Sequence, residues 1–254
     1  MGELIPYMKT LRERGIVVSY RELKSRFIRE APKICIRRIM DLCEEYASVF
    51  TFCVVGVTAE DNPGVIKEMI CRGHEVACHG YEHLRFDLLT YDEVYENLQR
   101  AKQLFLDKFN YELKGFRAPY LKTSKTVDRA LADLGFMWSS SIESKNGMLR
   151  DSNGVSELPV VLDDWEILVK RNESHRGLLK SMKANAKDGA VFLLHPWRVG
   201  QRGYIRALRM FLGRVNYPCV SMQELARSQV GMALTGDLGE MSLVEVIRRS
   251  LTWT

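Results

Sequence analysis

Short apolar runs that alternate with longer stretches of helical period constrain this chain more than any other feature. Ile16 to Tyr20, Ser48 to Val55, His74 to Cys78, Lys114 to Arg117, Phe136 to Ser139, Leu158 to Val161 and Ala190 to Leu194 read as buried strands. Between them the spacing predicts helices over Ala31 to Tyr46, Asn62 to Arg72, Tyr91 to Phe109, Ser124 to Leu134, Glu173 to Lys187 and Tyr204 to Val215. Two have local start signals: Asn62-Pro63 suits a cap followed by proline at the first helical position, and Thr90 with Glu93 forms a capping-box pattern. About seven strands with helical crossovers define an α/β fold, either an open doubly wound sheet or a barrel. Leu149 to Ser156 reads as the longest loop, and Ser242 to Leu251 as a short appended helix.

At 254 residues, 46% apolar and 27% charged, the chain has the composition of a folded globular protein. One α/β unit can occupy that length. The expected organisation is an N-terminal extension over 1–14, a single domain over 15–228 and a tail over 229–254. A formal net charge of +5 without a block of like charges gives no basis for a nucleic-acid partner. Arg198, Arg202, Arg206, Arg209 and Arg214 read as a solvated helix face. The six cysteines form no CxxC pair and read as reduced core residues. With them, a start (MGELIPYMKTLRERG) that lacks the pattern of a secretory signal leads to an expectation of cytoplasmic location. No apolar run reaches the ~20 residues of a membrane span, and oligomeric state is not readable.

The five histidines are the most informative residues. His79 and His83 follow a predicted strand in GHEVACHGYEH, where two imidazoles four residues apart can converge on one metal ion. The same spacing also suits a surface loop. Other polar motifs stand at matching strand ends, where α/β folds build their sites: Ser19-Tyr20-Arg21-Glu22, Arg117-Ala118-Pro119-Tyr120, Asp163-Asp164-Trp165 and His195-Pro196-Trp197. His74 and His175 fit no motif and read as structural.

HGYEH, FRAPY, DDW and LLHPW occur in an order that resembles the polysaccharide deacetylases, the fourth carbohydrate esterase family, including its chitooligosaccharide deacetylases. The resemblance covers roughly residues 15 to 226. It implies a distorted (β/α) barrel and a metal-dependent hydrolase that removes an acetyl group from an N-acetylated sugar or glycan precursor, cutting a non-peptide C–N bond. It makes His79, His83 and Glu22 the ligands of a divalent metal, with zinc first and cobalt, nickel or manganese as alternatives. His195 becomes the general acid, Asp164 the residue that orients it, and Arg117 the holder of the catalytic carboxylate. The Tyr120 backbone N–H helps bind the oxyanion, while Trp165 and Leu193 line the acetyl pocket.

The first motif departs from the family pattern, because Arg21 stands where the family has its catalytic aspartate. Arginine keeps its proton at neutral pH and cannot act as a base. Three readings follow: another acid substitutes (Glu22, Asp61, Glu82, Asp87 or Asp163), hydroxide on the metal reacts without a base, or the protein is a catalytically impaired relative that binds carbohydrate.

Overall fold

The computed structural model describes residues 20–144, 150–152, 154–215 and 219–235, with side chains for 32–144, 154–215 and 219–228. It opens on a 26-residue helix, α1 (Tyr20–Glu45), followed by β1 (Thr51–Val54), α2 (Gly56–Asp61), α3 (Pro63–Cys71) and β2 (Glu75–Cys78). Then come α4 (Tyr91–Phe109), β3 (Gly115–Phe116), α5 (Lys125–Asp133), β4 (Trp138–Ser139), β5 (Arg150–Ser152), β6 (Val155–Glu157) and β7 (Val160–Asp163). The remaining elements are α6 (His175–Asn185), β8 (Val191–Leu193), α7 (Pro196–Val199), α8 (Arg202–Leu212) and α9 (Met222–Thr235).

Parallel pairing builds a sheet in the order β1-β2-β3-β4-β6-β5, where only β5 runs antiparallel to its neighbour. A second sheet pairs β7 with β8 in parallel, and a single bridge between Glu143 and Val160 links it to the chain beyond β4. This is the expected mostly parallel α/β fold. Buried strands read as unbroken apolar runs because helices cover them: all four residues of β2 are buried, and Phe116 and Trp138 are fully so. Val94, Leu98, Ala101 and Phe105 of α4 supply a buried stripe at helical spacing. The predicted capping box at Thr90 and Glu93 is formed.

Two expectations are corrected. The strand expected at Ile16 to Tyr20 does not include Tyr20, which opens α1, and 16–19 lie outside the described residues. YRELKSRFIRE is rich in Arg, Glu, Leu and Lys, strong helix formers, and this preference prevails over the short apolar run before it. The loop expected over Leu149 to Ser156 contains the hairpin strands β5 and β6, turning at Gly154 with φ +80°. The last described helix is α9, Met222–Thr235. The helix expected at Ser242 to Leu251 lies outside the described residues. No described helix is long and apolar enough to cross a membrane.

β1 and β8 are the end strands facing an opening rather than each other, and Phe50 to Val55 and Ala190 to Leu194 both line a cavity of about 1570 Å³. Around Trp138 the packing is tight. A methyl group on Gly115 would overlap the Trp138 indole, and that ring is held where it is because Nε1 donates to buried Glu75 at 3.0 Å. Gly115→Ala is therefore expected to destabilise the fold by about 1–3 kcal/mol through overpacking. Urea denaturation checks this, and an unchanged midpoint would show that β3 and β4 can separate.

Candidate functional site

His79 follows β2 directly, and its backbone N–H donates to Val54 O at 3.0 Å, tying it to the end of β1. Its Nδ1 is bonded to the carbonyl of Arg117 at 2.7 Å, which selects the tautomer and leaves Nε2 as the open ring nitrogen. Gly80 turns the chain at φ +80°, where an added Cβ would lie 2.6 Å from Glu82 O. This turn carries His83 back toward His79, with ring centroids 5.0 Å apart. The loop is anchored from behind: Tyr81 N–H donates to Asn97 Oδ1 at 2.7 Å, and the Tyr81 hydroxyl joins Glu60 and Arg100.

Burial, ahead of every other influence, lowers His79 to about 4, and it also lowers His83. Both rings are therefore neutral at pH 7, the form that can bind a metal. Their neutrality, the fixed tautomer and the close approach of the rings fit a divalent ion. Among the described residues no carboxylate joins this pair. The side chains of Arg21 and Glu22 lie outside the described set, and their backbones are in the first turn of α1 rather than at a strand end.

Across the cavity, fully buried Asp164 spends both oxygens on one residue: Oδ1 on His195 Nδ1 at 2.5 Å and Oδ2 on the His195 backbone N–H at 3.0 Å. His195 is thus fixed in orientation with Nε2 available. Asp163, Asp164 and His195 also lie close enough for a metal cluster. The double engagement of Asp164 with His195 instead makes them an orienting pair of the kind used in proton transfer. Asp163 accepts from Trp165 N–H at 2.8 Å, and burial raises its carboxyl above the usual range.

Tyr120 has φ +61° in FRAPY, and its backbone N–H donates to no acceptor among the described residues. Its ring meets His83 at 4.7 Å between centroids. Leu193, Trp165, His79, His83, Arg117, Tyr120, Asp163 and His195 all line the one cavity. Of the other acids considered as substitutes, Asp61 and Glu82 are exposed and outside the lining, and Asp87 pairs with Arg85 at 2.6 Å.

Two partners are not evident from sequence. Arg117 donates from Nε to Ser140 O at 2.9 Å and from Nη2 to Ser140 Oγ at 2.6 Å, rather than to a carboxylate. The run Ser139-Ser140-Ser141 stands at the end of β4, so the strand-end rule that selected the other motifs would have found it. Trp197 lines the cavity beside His195, and the Arg198 guanidinium lies 4.4 Å from its ring and 5.4 Å from that of Trp165.

Residues 30–138 match the family model for polysaccharide deacetylase. The chain is 25% identical over 157 residues to the peptidoglycan-N-acetylglucosamine deacetylase PgdA of Listeria monocytogenes, a match covering 62% of this chain and 28% of that protein. The chain therefore spans less than a third of that relative. A polysaccharide deacetylase structure from Mycobacterium smegmatis superposes with a TM-score of 0.71 at 24% identity, covering 80% of this chain and 79% of the other. A CE4 family pseudoenzyme from Bacillus anthracis superposes at 0.61 with 19% identity, covering 76% of this chain and 61% of its own. A mutant of that protein is described as having restored enzymatic activity. These likenesses show that the chain shares its fold with both structures.

Proposed function

We propose that this domain is a metal-dependent hydrolase that removes the acetyl group of an N-acetylated sugar. The observation that carries the reading is the convergence, in one cavity, of the neutral His79 and His83 pair with the Asp164-oriented His195. His79 and His83 would hold the ion, with Glu22 as third ligand. Zinc suits the two imidazoles and a carboxylate best, with cobalt, nickel and manganese as alternatives. When bound, such an ion polarises the acyl oxygen and brings the pKa of water toward ~7.

The other steps fall to the chain. The Tyr120 N–H, without an acceptor among the described residues, stabilises the oxyanion, and Trp165 and Leu193 enclose the acetyl methyl. His195 Nε2 delivers a proton to the departing nitrogen while Asp164 stabilises the imidazolium. Asp163 is the substitute base: it lines the cavity, and its raised pKa makes it a better proton acceptor than an ordinary carboxylate. A base must be ionised, so activity is expected to fall as pH drops through that raised value, above the ~3.9 of a free aspartate. Asp163→Asn should lower kcat about 10²-fold and abolish that acid limb. The check is acetate release from N-acetylated chitooligosaccharides across pH; an intact limb in the variant would remove Asp163 from the role.

A second reading has its own support. Among the described residues the Arg117 side chain bonds to Ser140 and to no carboxylate, and the resemblance puts Arg21 where the family has its aspartate, as expected of an impaired relative that binds carbohydrate. Sugar binding with no acetate release under any added metal would decide for it.

A further inference from the structure

Glu157 closes β6, is 7% exposed and lies outside the cavity lining, so the proposed chemistry makes no use of its carboxyl. A buried ionisable group is costly unless hydrogen bonds satisfy it. Burial raises the pKa of Glu157, and hydrogen bonds from the Ser139 hydroxyl and from the backbone of Ser141 and Ile142 oppose the rise. Both backbone N–H groups donate to Oε1, at 2.7 and 3.0 Å, just past the end of β4. The carboxyl therefore fixes the path of the buried run Ser139-Ser140-Ser141.

That run grips FRAPY residue by residue. Ser140 takes the Arg117 guanidinium, and Ser141 Oγ, itself 3.0 Å from Ser139 Oγ, accepts the Ala118 backbone N–H at 2.9 Å. The Ala118 N–H and the Arg117 carbonyl are the two ends of one peptide group, and a peptide group is planar. Its nitrogen end is held by Ser141, while its carbonyl end is bonded to His79 Nδ1 at 2.7 Å. Turning that plane to loosen one bond loosens the other.

We infer that Glu157 is a positioning residue of the metal site: through Ser141 it sets the plane of the peptide between Arg117 and Ala118, whose carbonyl selects the tautomer of His79. This rests on the metal-hydrolase reading and adds to it a residue that touches neither metal nor sugar. Partners of this kind keep a ligating imidazole oriented, and their loss weakens metal binding and turnover together.

Glu157→Gln tests the assignment in the full chain, because the amide fills the same space with one acceptor oxygen instead of two. Three readouts are compared with the parent: the His79 tautomer from imidazole nitrogen NMR of metal-free protein, zinc affinity by chelator competition, and kcat beside KM on N-acetylated chitooligosaccharides. The variant is expected to show mixed His79 tautomers where the parent shows the Nδ1–H form, with zinc affinity and kcat each about 10-fold lower and KM little changed. Ser141→Ala, which removes the link to Ala118 and leaves Glu157 in place, should act in the same direction and carries the test if Glu157→Gln does not fold. Glu75→Gln is the control. Glu75 is as deeply buried, at 6%, and accepts from Trp138 at the opposite end of β2 from His79. Whatever it does to the thermal melt, it should leave all three readouts unchanged. A Glu157→Gln protein that melts lower but keeps the parent's tautomer, zinc affinity and kcat overturns the inference, since the carboxyl would then serve the fold alone. If the parent takes up zinc and releases no acetate, the hydrolase reading fails by itself, and tautomer and zinc affinity still decide for or against Glu157. A parent that takes up no zinc overturns both.

Discussion

Protein carrying both His79→Ala and His83→Ala is expected to purify without bound divalent metal, whereas the parent holds about one ion per chain. Among the described residues the other candidate for a metal is a single group of three side chains. The Asp163, Asp164 and His195 cluster is committed to its own hydrogen bonds, and no other described group of three metal-binding side chains exists. Elemental analysis of untagged protein makes the comparison. The fold should tolerate the double change, because the loop keeps the anchors of Tyr81 to Asn97 and Glu60 and the turn at Gly80. A thermal melt like that of the parent, together with lost metal, would locate the ion. Metal retained in the double variant would move it elsewhere and remove the basis for hydrolysis at this site.

His195→Ala is expected to lower kcat by about 10³–10⁴-fold with little change in metal content, since its role is proton delivery. Asp164→Asn should cost nearly as much. The amide can present only one oxygen, while Asp164 now serves both the ring Nδ1 and the backbone N–H of His195. One of these bonds would be lost and the tautomer released. Steady-state kinetics on an N-acetylated sugar, with KM read beside kcat, provides the check. A rise in KM alone would make His195 a binding residue and favour the carbohydrate-binding reading.

The same pair shows how much of the site is legible in the amino-acid sequence. LLHPW and DDW stand at the ends of two short apolar runs, and paired parallel strands bring such ends together, so Asp164 and His195 meet although 31 residues separate them. His79 and His83 are legible for a simpler reason: both sit on one turn after β2, and a five-residue turn is a local object. The helix Tyr91–Phe109 is local in the same sense, because its cap, its stripe and its end at Asn110 depend on neighbours within a turn or two. Such features survive the loss of all tertiary context.

What distance along the chain governs cannot be read this way. Asp61, Glu82, Asp87 and Asp163 are equivalent acids in sequence, and only packing puts Asp163 in the cavity and gives Asp87 to Arg85. The acceptor for Arg117 lies 23 residues on, in a serine run whose relation to FRAPY depends on the pairing of β3 with β4. Trp197 becomes part of the cavity wall through the placement of α7 beside Trp165. Sequence alone determined the alternation of strands and helices and the histidine turn, since periodicity and turn chemistry act over a few residues. Which strand ends meet, which acid lines the cavity and which residue holds the Arg117 guanidinium were decided by the tertiary structure, because desolvation and hydrogen bonding depend on neighbours that only the folded chain assembles.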